Sequence, residues 1–216
     1  MFKLSKNYLL EKARKLKPYT SKQEKEVLLA DDLTPHEALA MLSPVTAMNE
    51  YEAMYLLMKL REQSVSDVAE GMIDCTTCSA MNEFQLDILP KTDLDGSIPI
   101  GIFEKLSDFI EDDDLSILEC NRLQKIMKSN NEKLLNLARE ITCRVPSCNA
   151  KITVNLNPLQ ILSKSSLGSI YQEYYQFGKF LHYSNRDVDV LLPFERSLLF
   201  SLMKKDVETP KPNPFG

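Results

Sequence analysis

The feature that most constrains how this chain can fold is a pair of cysteine pairs set in matching text. The first is CTTC, Cys75 to Cys78, and the second is CRVPSC, Cys143 to Cys148. When Cys78 is laid on Cys148, Ala80 meets Ala150, Phe84 meets Val154 and Leu86 meets Leu156. Ile73 and Ile141 each stand two residues before the first cysteine of their pair. After Cys78, Phe84, Leu86 and Ile88 alternate with Gln85 and Asp87, the period of a half-buried strand. The chain therefore carries two copies of one unit, a cysteine pair in a turn followed by a short strand. Four soft donors delivered in pairs from tight turns suit tetrahedral zinc, and a closed four-cysteine shell leaves no place for a catalytic water. Cys75, Cys78, Cys143 and Cys148 are the expected ligands of a structural zinc ion. The competing reading is four small apolar residues in a shared sheet. A redox CxxC has no βαβ pattern around it here.

The text around these units is helical. Ser21-Lys22-Gln23-Glu24 and Thr34-Pro35-His36-Glu37 read as capping boxes. Asn49 caps a segment running to about Glu62 that is apolar nearly all round and so is expected to be buried on most sides. Further helices are expected at Gly101 to Ile110, Leu115 to Met127, Glu132 to Glu140 (behind the box at Ser129), Pro158 to Leu162, Ile170 to Tyr183 and Pro193 to Lys204. The predicted fold class is mainly α with a small β zinc-ribbon-like module, an α+β chain. Its expected parts are an N-terminal helical region (1–70), a cysteine-pair strand module (71–157) with a helical insertion at about 100–140, a C-terminal helical docking region (158–206) and an extended Pro-rich tail (207–216).

Composition narrows the function. The chain has 216 residues with only 6 glycines, and no phosphate-cradling GxGxxG or GxxxxGK[ST] is present. Its net charge of −5 opposes a bulk grip on nucleic acid. Lys3, Lys6, Lys12, Arg14, Lys15 and Lys17 make the start of the chain basic, read as a solvated first helix with Leu9, Leu10, Ala13 and Leu16 turned inward. No signal peptide and no membrane-spanning run is expected. A reducing cytosol, where thiols bind metal, fits the cysteines.

No catalytic constellation stands out. His36 sits in a first helical turn, and His182 reads as a helix-terminal residue rather than a base paired with Asp187 or Asp189. The run Glu111 to Asp114 reads as a solvated boundary, and Cys120, beside Leu118 and Leu123, as core. The chain is not expected to be an enzyme. Its last third offers protein anchors instead: Tyr174, Phe177, Phe180, Leu181, Phe194, Leu198 and Phe200, with Pro212 and Phe215 in the tail. Two consecutive helices apolar on more than one side either dock a partner or form a hairpin buried within the chain.

Two stretches resemble a known family. YEAMYLLMKLREQSVSDVAE (51–70), with Leu60-Arg61 and Ser64-Val65, leads into IDCTTCSAMNEFQLDI. DVDVLLPFERSLLFSLM (187–203) centres on Pro193, Phe194, Glu195 and Arg196 and follows YYQFGKFLHYSNRD. Both are similar to the baseplate hub and hub-assembly proteins of T-even-type contractile-tailed phages. Residues 90 to 140 have no counterpart in that pattern. The resemblance implies assembly by protein–protein docking, with other hub, tape-measure and spike-region proteins as partners. Self-association is left open, and neither nucleic acid nor a membrane span is involved. It also implies a place in the host cytoplasm during assembly and then in the tail baseplate. The contrasting expectation is a zinc-ribbon adaptor on nucleic acid or a transcription modulator.

Overall fold

The computed structural model describes residues 2–30, 32–89, 93–111 and 115–208. Four helices come first: α1 (Tyr8–Arg14), α2 (Ser21–Leu29), α3 (Pro35–Leu42) and α4 (Glu50–Ser64). A hairpin of β1 (Val68–Asp74) and β2 (Met81–Asp87) follows, then a 3-10 turn (Leu106–Asp108) and α5 (Ile117–Leu134). A second hairpin pairs β3 (Ala138–Thr142) with β4 (Lys151–Asn155). The chain closes with α6 (Pro158–Ile161), α7 (Leu167–Leu181), α8 (Asn185–Asp189) and α9 (Pro193–Glu208). The class is α+β, mainly helical with two small antiparallel sheets. Among the described residues, no helix is long and apolar enough to cross a membrane.

The core is organised by α4, as its all-round apolar text requires. Ala53, Leu56, Leu57, Met58 and Leu60 are buried, and Leu9, Ala13 and Leu16 from the N-terminal segment and Leu39 from α3 pack with them. Two charges are buried with α4, and both are satisfied, as burial demands. Glu52 accepts from Lys12 Nζ (2.6 Å) and from the Met48 amide (3.1 Å). Arg61 donates from Nε to Ile161 O (2.8 Å) and also reaches Ser66. Lys12, read as one of the solvated cations, is thus spent inside the fold. A second cluster lies between α7, α8 and α9, and a third, of Ile98, Phe103 and Phe109, lies under the loop before α5.

The box at Thr34 and the cap at Asn49 hold. Thr34 and Glu37 cap each other's backbone, and Asn49 Oδ1 accepts from the Glu52 amide at 2.8 Å. The first box is displaced by one residue. Thr20 caps α2 with Gln23, because Glu24 turns inward to meet Arg196. The helix expected at Gly101 to Ile110 is only a 3-10 turn. There Asp108 Oδ2 takes the amides of Glu104 and Lys105 (3.0 and 2.9 Å), and Phe103 and Phe109 dive inward. The box at Ser129 is internal to α5, which runs unbroken to Leu134. Its asparagines bind the loop instead: Asn130 exchanges hydrogen bonds with Asp95 (3.0 and 3.2 Å), and Asn131 with Phe103 (2.9 and 3.4 Å). Of the helix expected at Glu132 to Glu140, only the start is helical, as the end of α5, and β3 begins at Ala138. Cys120 is half-buried and its neighbours Ile117 and Leu118 are exposed, so this part of α5 is not core.

Two glycines lie under aromatic rings and behave oppositely. A Cβ on Gly71 would fall 2.7 Å from Phe84 Cζ, and one on Gly101 would fall 2.3 Å from Phe103 Cζ. Phe84 is half-exposed and can swing away, whereas Phe103 is buried 4.7 Å from the Phe109 ring. Gly101→Ala is therefore expected to lower unfolding stability by about 1–3 kcal/mol, the usual cost of overpacking, and Gly71→Ala by much less. Urea unfolding of both variants checks the contrast.

Candidate metal centre

Each cysteine pair sits in the turn of its hairpin, and the two turns are built alike. The Cys75 amide donates to Ala80 O at 2.9 Å, and the Cys143 amide donates to Ala150 O at 2.9 Å. The residue after the second cysteine adopts left-handed backbone in both, Ser79 at φ 55° and Asn149 at φ 49°. That conformation is uncommon outside glycine, and here it turns the chain back into the returning strand. The repeat seen in the text thus extends to hydrogen bonds and torsions. The strand leading into each pair, β1 or β3, completes the unit. β1 was illegible because its inward residues include Ala69 and Gly71, which make a weak apolar alternation.

The turns face each other. Cys75 Sγ lies 3.7 Å from Cys148 Sγ, and Cys78 Sγ lies 3.6 Å from Cys143 Sγ. All four sulfurs fall within 4.8 Å of one another. A tetrahedral ion about 2.3 Å from each sulfur holds them about 3.8 Å apart, so the spacing suits one such ion. Cys75, Cys78, Cys143 and Cys148 therefore lie close enough to hold a metal ion.

The electrostatics of the thiols point the same way. Backbone amides of Cys78 and Thr77 donate to the Cys75 sulfur and lower its pKa to about 6. At Cys78 the Ala80 amide favours the thiolate, but desolvation and the neighbouring thiols outweigh it and push the pKa up to about 12. Cys148 is raised too, by desolvation and by the Cys75 and Cys143 thiols, against the pull of the Ala150 amide and of Cys78. The Cys75 thiolate forms readily, and Cys78 and Cys148 then resist ionising. A bound cation removes that conflict by binding all four as thiolates.

A residue that sequence reasoning missed locks the hairpins together. Asn82 is buried, accepts from the Arg144 amide at 2.7 Å and donates to Ala80 O at 2.6 Å. It bridges the first hairpin to the second turn. Its signal was available: Asn82 is a polar residue in the same strand phase as Phe84 and Leu86. Cys75, Cys143 and Ile152 form a small core around the sulfurs, with Ile73 and Ile141 against it. No protein family, curated protein or solved structure matches this chain.

The expected docking residues divide. Tyr174 and Phe177 are buried within the chain, so their assignment as docking residues is corrected to core. Tyr174 donates to Asp189 Oδ1 at 2.9 Å, and Phe177 packs on Tyr183 and Phe200. Leu181 and Phe200 are half-buried. Phe180, Phe194 and Leu198 are exposed, and Leu202 extends the row on α9: Phe194 is 42%, Leu198 56% and Leu202 48% exposed. Pro212 and Phe215 lie outside the described residues, as do Asp112 to Asp114 of the acidic run.

His182 ends α7 in left-handed backbone at φ 58°, a helix terminus as expected. The carboxylates that would orient it as a base are engaged elsewhere, Asp187 in a cap with Ser184 (2.7 Å) and Asp189 with Lys25 (2.7 Å). His36 lies 3.0 Å from Glu50 across the α3–α4 corner.

Proposed function

We propose that this chain is a non-catalytic assembly protein. In this reading zinc on Cys75, Cys78, Cys143 and Cys148 clamps the two hairpins, and the outer row of α9 docks a protein partner. The observation that carries it is the convergence of four sulfurs from two like-built turns at the spacing of a tetrahedral ion. Zinc is the ion of choice because a closed four-thiolate shell is its usual structural site.

The proposed place of action is the baseplate hub of a contractile phage tail. The protein assembles there in the host cytoplasm and meets hub, tape-measure or spike-region proteins. The resembling segments support this reading, since they fall on working parts of the fold. Residues 51–70 make the core helix α4 and enter β1. In the Pro-Phe-Glu-Arg segment, Pro193 opens α9, Phe194 faces out, Glu195 accepts from the Leu192 amide at 2.8 Å and Arg196 turns into the core. A nucleic-acid role draws no such support: the exposed face of the first hairpin carries Glu70, Asp74, Glu83 and Asp87, which repel phosphate.

The test is co-expression with the hub and tape-measure proteins of a T-even-type phage, followed by co-purification. A stable complex is expected, and Leu198→Asp should abolish it while zinc content stays unchanged. A chain that remains monomeric and inert toward every tail component would remove the baseplate reading.

A further inference from the structure

We propose that the four-cysteine centre is also an oxidation site, where peroxide replaces the metal clamp with two disulfides crossing between the hairpins, Cys78–Cys143 first and Cys75–Cys148 second. The inference rests on the zinc reading above.

The order follows from exposure. Cys78 is exposed, Cys148 is half-buried, and Cys75 and Cys143 are buried. Cys78 is the one exposed residue of the four, so it is the one an oxidant arriving from water reaches first. The pairing follows from geometry. Cys78 Sγ meets Cys143 Sγ across the gap at 3.6 Å, and Cys75 Sγ meets Cys148 Sγ at 3.7 Å. Both contacts join different hairpins. A disulfide brings its sulfurs to about 2.05 Å, so each pair closes by a short movement between turns that Asn82 already holds together.

The chemistry balances with hydrogen peroxide as the oxidant. The Cys78 thiolate attacks one peroxide oxygen, the O–O bond breaks, and sulfenic acid and hydroxide form. The Cys143 thiolate then attacks the Cys78 sulfur, the S–O bond breaks, and a disulfide and a second hydroxide form. Two thiolates have lost two electrons, and one peroxide has gained them. With half its donors gone, the zinc ion leaves. A second peroxide oxidises Cys75 and Cys148 in the same way. The hairpins remain joined at the same point throughout, so loss of the metal by this route does not open the fold.

The experiment uses the full zinc-loaded chain carrying Cys120→Ser, which removes the remaining thiol as a source of links between chains. Hydrogen peroxide is added in stepwise equivalents. Zinc release is read with a chromogenic chelator, disulfides by non-reducing peptide maps, and the fold by limited proteolysis. One equivalent is expected to release most of the zinc with Cys78–Cys143 as the dominant disulfide. A second equivalent should add Cys75–Cys148, with protease resistance kept, and dithiothreitol with zinc should restore the starting state. Dominant Cys75–Cys78 or Cys143–Cys148 disulfides, or hairpins that become protease-sensitive as zinc leaves, would overturn the inference. Zinc content is measured before any peroxide is added. A metal-free starting protein would defeat the zinc reading and this inference with it, whereas zinc-loaded protein that forms other disulfides would defeat the inference alone.

Discussion

Cys143→Ser is expected to abolish binding of the proposed zinc ion and melt the joint between the hairpins, the largest effect of any single substitution here. Structural zinc supplies about 10–16 kcal/mol of apparent binding free energy in isolated fingers near neutral pH. Only part of that is at stake in this chain, because Asn82, Ile152 and Ile73 also hold the hairpins. The loss should therefore be regional. Hydrogen exchange is expected to rise in Val68–Asp87 and Ala138–Asn155, while α2, α7 and α9, packed around a separate cluster, stay protected. A strong chelator should produce the same pattern in the unmodified chain. Cys120→Ser, outside the centre, should leave metal content at one ion per chain. Wild-type protein purified without chelator that contains no metal, or an exchange map unchanged by Cys143→Ser, would defeat the expectation.

The centre was legible because its chemistry is local twice over: each turn declares its pair, and only the meeting of the turns is long-range. The intervening loop did not hide it, since closing a long loop adds little entropy beyond closing a short one. The helices with strong caps, α3 and α4, were legible for the same reason, as their signals lie within a few residues. Signals failed where a side chain was claimed from far away. Asn130 and Asn131 read as a helix start, yet they serve the backbone of Asp95 and Phe103. Lys12 read as solvated, yet Glu52 holds it. Tyr174 and Phe177 read as anchors for a partner, yet α2, α8 and α9 supply the surfaces that cover them, and no window of one helix contains those surfaces. Periodicity reveals that a face is apolar and leaves open what covers it.

Arg196→Ala is the second large effect, and it tests how α9 is held in place. Arg196 is 1% exposed, and its Nη1 and Nε bind Glu24 Oε2 at 2.5 Å and Glu173 Oε2 at 2.7 Å. One guanidinium thus answers two buried carboxylates, from α2 and α7. Burial alone lowers the Arg196 pKa, but the two glutamates more than reverse this and raise it, so the cation is present at any working pH. Its removal leaves two carboxylates in low dielectric without a counter-charge, which costs about 3–5 kcal/mol where a buried pair is broken from one side. The urea midpoint should fall accordingly with the slope unchanged. Arg196→Met combined with Glu24→Gln and Glu173→Gln should recover much of the loss, because packed residues without net charge often replace a buried ion cluster at little cost. A loss below about 1 kcal/mol for Arg196→Ala, the range of exposed pairs, would mean that the triad is solvated and does not anchor the helix. The same substitution separates two parts of the proposed function. The sulfurs draw on neither α7 nor α9, so zinc content should survive it. The outward row of Phe194, Leu198 and Leu202 depends on α9 lying flat on α2 and α7, so partner capture should weaken together with stability.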